Sequence, residues 1–318
     1  MTPFIRSDRS PLITTDTHPS LGGNVNGPTL LRVPDWLPDP LGRYYLYFAH
    51  HQGQFIRLAH ADDVEGPYTL HEQGVLHIDD CPFRGHIASP DVHFDEARQR
   101  VWMHYHGCGY SGAGDNPYGQ AACYAESADG LNFSSDDLCV GPSYLRTFER
   151  DGWHYGFAGG PGRRWIRARS PRNRFEEGAT LEVPGESFSS EKEILRLGID
   201  SVYRIRHVAL HQQGDTLMVY YSNVGDTPER IKRTVVRLDR PWREWSGEAF
   251  EEILRPETVR EGVDELVERS CGGSSRGPVH QLRDPFLFVE DARTFLLYTI
   301  AGEFGIGLAE LHGTTQSR

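Results

Sequence analysis

Three carboxylates stand where a side chain can do acid–base work. Asp284 lies in Arg283-Asp284-Pro285, Asp91 follows Ser89-Pro90, and Glu303 sits between glycines in AGEFG (301–305). Two carboxylates held apart across a bound molecule can protonate a leaving oxygen and activate a water. Glu229 and Glu261 are rivals for the acid role. Candidates for gripping hydroxyls or an acid group are Asn26, His50, His51, His86, Arg206, His207, Arg230 and Arg283. Each has a plainer reading. Asp91 and Asp284 can cap a turn or form a buried ion pair with Arg283 or Arg206, Glu303 can be a solvated loop residue, and the histidines can be satisfied polar groups. No Gly-x-Ser-x-Gly, HExxH, EF-hand or Walker pattern is present, which argues against serine hydrolases, zinc proteases and nucleotide binding. The loop glycines serve backbone turns, since no helix follows them to make a phosphate site.

The elements that position these residues are strands. Short runs rich in Tyr, Val, Ile and Leu recur between Gly, Pro and Asp punctuation. A bulky residue three before a Tyr marks Tyr44–Tyr47, Trp102–Tyr105, Leu217–Tyr220 and Phe295–Tyr298, with a weaker copy at Gly152–Tyr155. The tyrosines are 58, 50, 65 and 78 residues apart, so five units of about 60 fill the chain. Earlier strands precede them at 27–33, 89–95, 207–213 and 284–290, later ones follow at 56–61, 121–127, 165–170, 231–238 and 306–311, and aromatics close several units. Four antiparallel strands repeated five times predict an all-β, five-bladed β-propeller, a single domain over residues 1–318. The residues before Asn24 are expected to complete the last blade. The one helix-like segment, 256–270, is expected to pass between blades over one face.

In such a blade the first strand lines the axis. The loops into strand 1 and those joining strands 2 and 3 open on one face, so their polar residues converge over an axial pocket. The latter loops are 49–54, 106–119, 158–164, 222–231 and 301–305. Aligned prolines place Asp284 where Gly27 and Ser89 stand in other blades. Strand alternation places Asp91 on the face of Ser89, Asn24 with Asn26, and Arg204 with Arg206. Charged residues against a crowded axis are costly unless paired or used.

The chain has 318 residues, with 33 Lys and Arg against 45 Asp and Glu, a formal charge of −12. That balance argues against nucleic-acid or anionic-membrane partners, which require basic surface. No apolar run approaches a membrane span, and the N-terminus MTPFIRSDRSPL lacks the apolar core of a secretion signal. Five cysteines without CxxC or zinc spacing point to reduced thiols and a cytoplasmic location. Oligomeric state is not legible.

Four stretches carry a family resemblance: 24–68, which includes NVNGPTLLRV, HIASPDVHFD (86–95), RHVALHQQGDTLMVYYSNVGDTPERI (206–231) and QLRDPFLFVEDARTFLLYTIAGEFGIGLAEL (281–311). They resemble the five-bladed propeller glycoside hydrolases of families 43, 62, 32 and 117, and more narrowly bacterial proteins described as family 43-like. The resemblance implies a glycosidase with an acidic trio. In family 43 the base is the Asp of an Asp-Pro in the first blade; this chain has Asn26-Gly27-Pro28 there, and its Asp-Pro at the equivalent level is Asp284-Pro285. A similar Arg-Asp-Pro carries a substrate-orienting Asp in the fructan-acting relatives. The family's acid Glu motif has no clear counterpart. The roles expected are therefore Asp284 as base, Asp91 as modulator or alternative base, and Glu303 as acid, acting by inversion across a wide carboxylate gap. No cofactor is expected to be required. In some relatives an axial histidine coordinates a hydrated calcium ion, for which His207 is the candidate. Two alternatives remain open: a phosphorylase recruiting Arg206, Arg230, Arg283 and histidines to bind phosphate, and a non-catalytic sugar-binding propeller.

Overall fold

In the computed structural model, which describes residues 4–51, 53–159 and 163–311, twenty of the strands form five antiparallel sheets around one axis. Blade 1 runs Asn26–Arg32, Tyr44–Ala49, Phe55–Ala61 and Thr69–His77 from the axis outward. Blade 2 runs His86–Asp95, Arg100–Cys108, Ala121–Ser127 and Ser134–Pro142. Blade 3 is Leu145–Arg150, Trp153–Ala158, Arg164–Ala168 and Glu176–Thr180; blade 4 is Arg204–Gln213, Thr216–Val224, Ile231–Arg237 and Glu251–Leu254. Blade 5 takes Arg283–Glu290, Arg293–Ile300 and Gly305–Leu311 from the end of the chain, and its outer strand, Phe4–Arg6, from the beginning. Phe4 pairs with Leu311, and the short strand Ile13–Thr14 also pairs with the Gly305 end of its neighbour. The N-terminus thus closes the ring, as the sequence implied.

Each sheet buries both faces only against its neighbours, and the core divides accordingly into five inter-blade layers. Leu46 and Phe48 of blade 1 meet Phe295 and Leu297 of blade 5 on one side; Tyr47 and Leu58 meet Met103 and Tyr105 of blade 2 on the other. Trp102 and Tyr124 face Leu145 and Ile166, Phe157 and Trp165 face Val219 and Tyr221, and Tyr220 faces Tyr298 and Phe4. These large apolar side chains, each stabilising by about 1.5–3 kcal/mol on full burial, are the repeated tyrosines and their partners.

One local expectation fails, and one inner strand went unmarked. Residues 256–270 form no helix beyond a single 3₁₀ turn, Val259–Glu261; Gly262, at φ +83°, ends it where a Cβ would fall 2.3 Å from the Val279 carbonyl oxygen. The helix present instead is Glu191–Leu197, opened by a capping box of Ser190 and Glu193. The inner strand of blade 3, Leu145–Arg150, has no apolar run and no proline to announce it.

Candidate functional site: an axial pocket lined by histidine and arginine

Four of the five inner strands have an irregular start; that of blade 3 pairs in unbroken register from Leu145 to Arg150. Register breaks fall between Asn26 and Thr29, Ala88 and Asp91, Ile205 and Val208, and Arg283 and Phe286. A bulge leaves a residue unpaired and re-aims its side chain. Here the re-aimed residues are Gly27, Ser89, His207 and Asp284, with Tyr144 at the matching point of blade 3. Four of them have left-handed backbones: Gly27 at φ +58°, Ser89 at +50°, Tyr144 at +59° and Asp284 at +48°. For the three that are not glycine this costs about 1–3 kcal/mol each, and such strain collects at functional sites. Gly27 is the one position without room, because a Cβ there would lie 2.8 Å from Ser89 Cα.

These five residues touch across the axis. His207 Nδ1–H donates to Asp284 Oδ1, and the Gly27 amide donates to Asp284 Oδ2 at 3.3 Å. His207 Nε2 therefore faces inward, 3.4 Å from Ser89 Oγ, and its ring lies 4.4 Å from that of Tyr144. Tyr144 in turn packs 4.2 Å from His106, followed by His86 and His51 in an arc. Burial would raise the Asp284 carboxyl, but His207, Arg206 and Arg283 more than offset it and hold the group ionised.

Directly above lies the cavity, whose walls include Asn26, His51, His86, Arg204, Arg206 and Glu303. Glu303, 2% exposed, comes from the strand 2–3 loop of blade 5. Its Oε1 accepts from Arg283 at 3.1 Å; its Oε2 has no hydrogen bond and stands 3.5 Å from His51 Nδ1. Here too burial is outweighed, by His51 and Arg283, so the carboxyl lies below its ordinary range. An acid must hold a proton before it gives one, so the acid role expected for Glu303 does not suit this arrangement. Arg206 is clamped bidentately by fully buried Glu229, at 2.8 and 3.0 Å.

A strap covers the mouth. The 256–280 connection does pass over this face: the Gly273 carbonyl accepts from both Arg206 and Arg283 at 3.2 Å, and Cys271 O accepts from Arg206. The enclosed space is about 20 Å³, room for about one water molecule.

The structure thus brings together Asp284, Glu303, Asn26, His51, His86, Arg206, His207 and Arg283. It keeps the others apart. Asp91 shares no face with Ser89, because the bulge between them breaks the alternation. Its Oδ2 accepts from Thr147 N and Oγ1, both 2.9 Å, and from His93 Nε2 at 2.8 Å, with Arg146 3.8 Å away. It is a tie between blades 2 and 3, not a pocket group. Arg230 pairs with Glu252 at 2.6 Å, toward the rim of blade 4. His50 packs under Gly22. Of the rival acids, Glu229 is fully engaged by Arg206 and Ser222, and Glu261 lies between blades 4 and 5, accepting from Arg6, Tyr298 and two backbone amides.

Sequence reasoning missed Tyr144 as a pocket residue; His106, from a strand 2–3 loop, and Arg204, beside Arg206 on the inner strand, were placed toward the axis but given no role. Tyr144 was legible only through its place in the repeat, where Ser143-Tyr144-Leu145 lacks the proline of blades 1, 2 and 5. For the axial calcium, the donor set does not fit. His207 has one nitrogen on Asp284 and the other on Ser89, and among the described residues no three His, Cys, Asp or Glu are placed to hold a metal ion.

The fold is a five-bladed propeller like that of solved glycoside hydrolases of family 43. Its solved neighbours include the GH43_1 enzyme from Xanthomonas citri complexed with xylose (TM-score 0.61, 15% identity, 97% of this chain and 90% of that one). Another is CoXyl43, a GH43 β-xylosidase/α-arabinofuranosidase from a compost microbial metagenome (0.59, 13%, 96% and 94%). No protein-family model matches the chain. In sequence it belongs to the family of uncharacterized protein R118 of Acanthamoeba polyphaga mimivirus, with 34% identity over 307 residues, 91% of this chain and 83% of that protein.

Proposed function

We propose that the chain is a glycosidase that cleaves a glycosidic bond in the axial pocket. The observation that carries the reading is Glu303: a buried carboxylate at the pocket wall, kept ionised by Arg283 and His51, with Oε2 3.5 Å from His51. An ionised carboxylate facing a water-sized space can act as a general base. In this scheme Glu303 Oε2 takes a proton from the attacking water as its oxygen bonds to the anomeric carbon. The bond to the leaving oxygen breaks, and His207 Nε2–H supplies that oxygen's proton. Asp284 acts through His207, holding its Nδ1 so that Nε2 faces the cavity. Because Glu303 activates a water instead of attacking the sugar, the scheme is a direct displacement and predicts inversion.

A sugar ring needs more room than one water, so the strap has to lift. Gly272 and Gly273 suit such a movement: Gly273 has φ +74°, and a Cβ on Gly272 would fall 2.1 Å from Asp200 Oδ1. Lifting would also free Arg206 and Arg283 from the strap carbonyls for the substrate's hydroxyls.

The test is hydrolysis of a panel of aryl glycosides and plant oligosaccharides by the wild-type chain and by Glu303→Gln, with NMR of the first-formed anomer. Cleavage lost in the variant, with inverted product, is expected. Cleavage untouched by Glu303→Gln overturns the base assignment, and binding without cleavage of any member points to a non-catalytic propeller.

A further inference from the structure

Three buried arginines stand at the pocket, and they are not equivalent. Arg206 has Glu229, and Arg283 has Glu303 at 3.1 Å and Glu229 at 3.4 Å. Arg204, 5% exposed at the start of the same inner strand as Arg206, has no carboxylate within 4 Å among the described residues. Its Nε donates to Ile199 O at 3.0 Å and its Nη1 to Ile205 O at 3.2 Å; Nη2 makes no hydrogen bond among the described residues. Burial, and then neighbouring Arg206, push its guanidinium down to about 10, opposite to the upward shift of Arg206. A buried cation without a counter-ion is costly to fold around.

Its surroundings are suited to an oxyanion. Tyr144 and His106 line the same cavity as Arg204, and His106 Nδ1 is buried without a partner. These residues come from blades 2, 3 and 4, whereas Glu303 and His51 come from blades 5 and 1. Arg204 and Glu303 thus reach the cavity from different blades, and the Glu303 charge is already met by Arg283 and His51. The guanidinium fork presents its remaining N–H groups in the geometry that matches carboxylate and phosphate oxygens.

We propose that Arg204, with Tyr144 and His106, forms an oxyanion subsite of the axial pocket. This rests on the reading of that pocket as a carbohydrate site. The oxyanion is either an acid group carried by the sugar, as in a uronic acid, or inorganic phosphate entering as the attacking group in place of water. The shared chemistry is one anion on one guanidinium.

Calorimetry on the full chain tests it with paired probes: glucuronate against glucose, galacturonate against galactose, and inorganic phosphate. The wild type is expected to bind one anion at least tenfold more tightly than the neutral counterpart, or phosphate outright. That preference should vanish in Arg204→Met and be partly kept in Arg204→Lys. A uronate preference without phosphate binding assigns the anion to the sugar; phosphate binding with phosphate-dependent cleavage assigns it to the co-substrate. Equal binding of acid and neutral sugars by the wild type, with no phosphate binding, overturns the subsite, and this comparison needs no variant to fold. So does a preference that survives in Arg204→Met. If anions bind through Arg204 but no glycoside is cleaved, the glycosidase reading fails and the subsite stands; cleavage of neutral glycosides with indifference to anions gives the reverse.

Discussion

Replacing Asp91 separates a catalytic carboxylate from a structural one without any knowledge of the substrate. Its carboxylate, 3% exposed, takes three hydrogen bonds of 2.8–2.9 Å, two from Thr147 and one from His93, and sits 3.8 Å from buried Arg146. Asp91→Ala leaves the Thr147 amide unpaired and Arg146 without a counter-charge inside the layer between blades 2 and 3. Breaking a buried charged partnership of this kind costs about 3–5 kcal/mol. Asp91→Asn should cost only about 1–2 kcal/mol, because an amide oxygen in the Oδ2 place still accepts from Thr147 and His93, while its NH₂ takes the Oδ1 place beside Arg146. Urea unfolding followed by tryptophan fluorescence reads both, since Trp102 belongs to that layer. Adding Thr147→Val to Asp91→Ala should cost less than the two changes summed, because both remove the same bond. A wild-type unfolding midpoint for Asp91→Ala, or strict additivity with Thr147→Val, would refute the tie. The acid limb gives a second readout. Burial raises the Asp91 carboxyl, but His93 and Arg146 bring it below its ordinary value. Its contribution is therefore complete above the unfolded pKa of about 3.9 and is lost as pH falls through the folded value. Asp91→Asn should show a shallower loss of stability below about pH 4.

Three further outcomes follow. Glu303→Gln should keep the fold and lower turnover of a cleaved glycoside by about 10²–10⁴-fold; near-wild-type rates would remove it from the chemistry. Glu261→Gln should leave turnover intact and lower stability by about 1–3 kcal/mol, because the carboxylate joins Arg6, Tyr298 and the Glu257 and Thr258 amides; a selective loss of turnover at unchanged stability would reverse that assignment. Phe4→Ala should destabilise by about 3–5 kcal/mol, since Phe4 is 3% exposed and packs edge-on against Tyr220 at 6.1 Å; an unchanged denaturation midpoint would show that ring closure through the N-terminus does not carry stability.

The architecture was legible because it is written locally and five times over. Tyr47, Tyr105, Tyr155, Tyr220 and Tyr298 recur because each blade must cover its faces with the same kind of side chain, and the Gly and Pro between them mark the turns. Asp284 could be placed on the axis for the same reason: its Asp-Pro aligns with Gly27-Pro28 and Ser89-Pro90. The loop after strand 2 of blade 5 likewise marked Glu303. What the repeat does not encode is the direction of a side chain after an irregularity. Alternation sent Asp91 to the axis, but alternation holds only along an unbroken ladder, and the bulge at Ser89 turned Asp91 toward Thr147 of the next blade. Nor does sequence show which arginine finds a carboxylate. Arg204 and Arg206 are two residues apart on one strand, and the position of Glu229, brought in by a loop 23 residues beyond Arg206, gives one a carboxylate and leaves the other with backbone carbonyls alone. The helix expected over 256–270 failed for a related reason: that segment answers to Arg6, Tyr298 and the pocket beneath it rather than to its own propensity. Repetition made the fold local enough to read. Charge pairing, bulge geometry and the strap across the pocket depend on residues far apart in the chain, and only their meeting in space decided them.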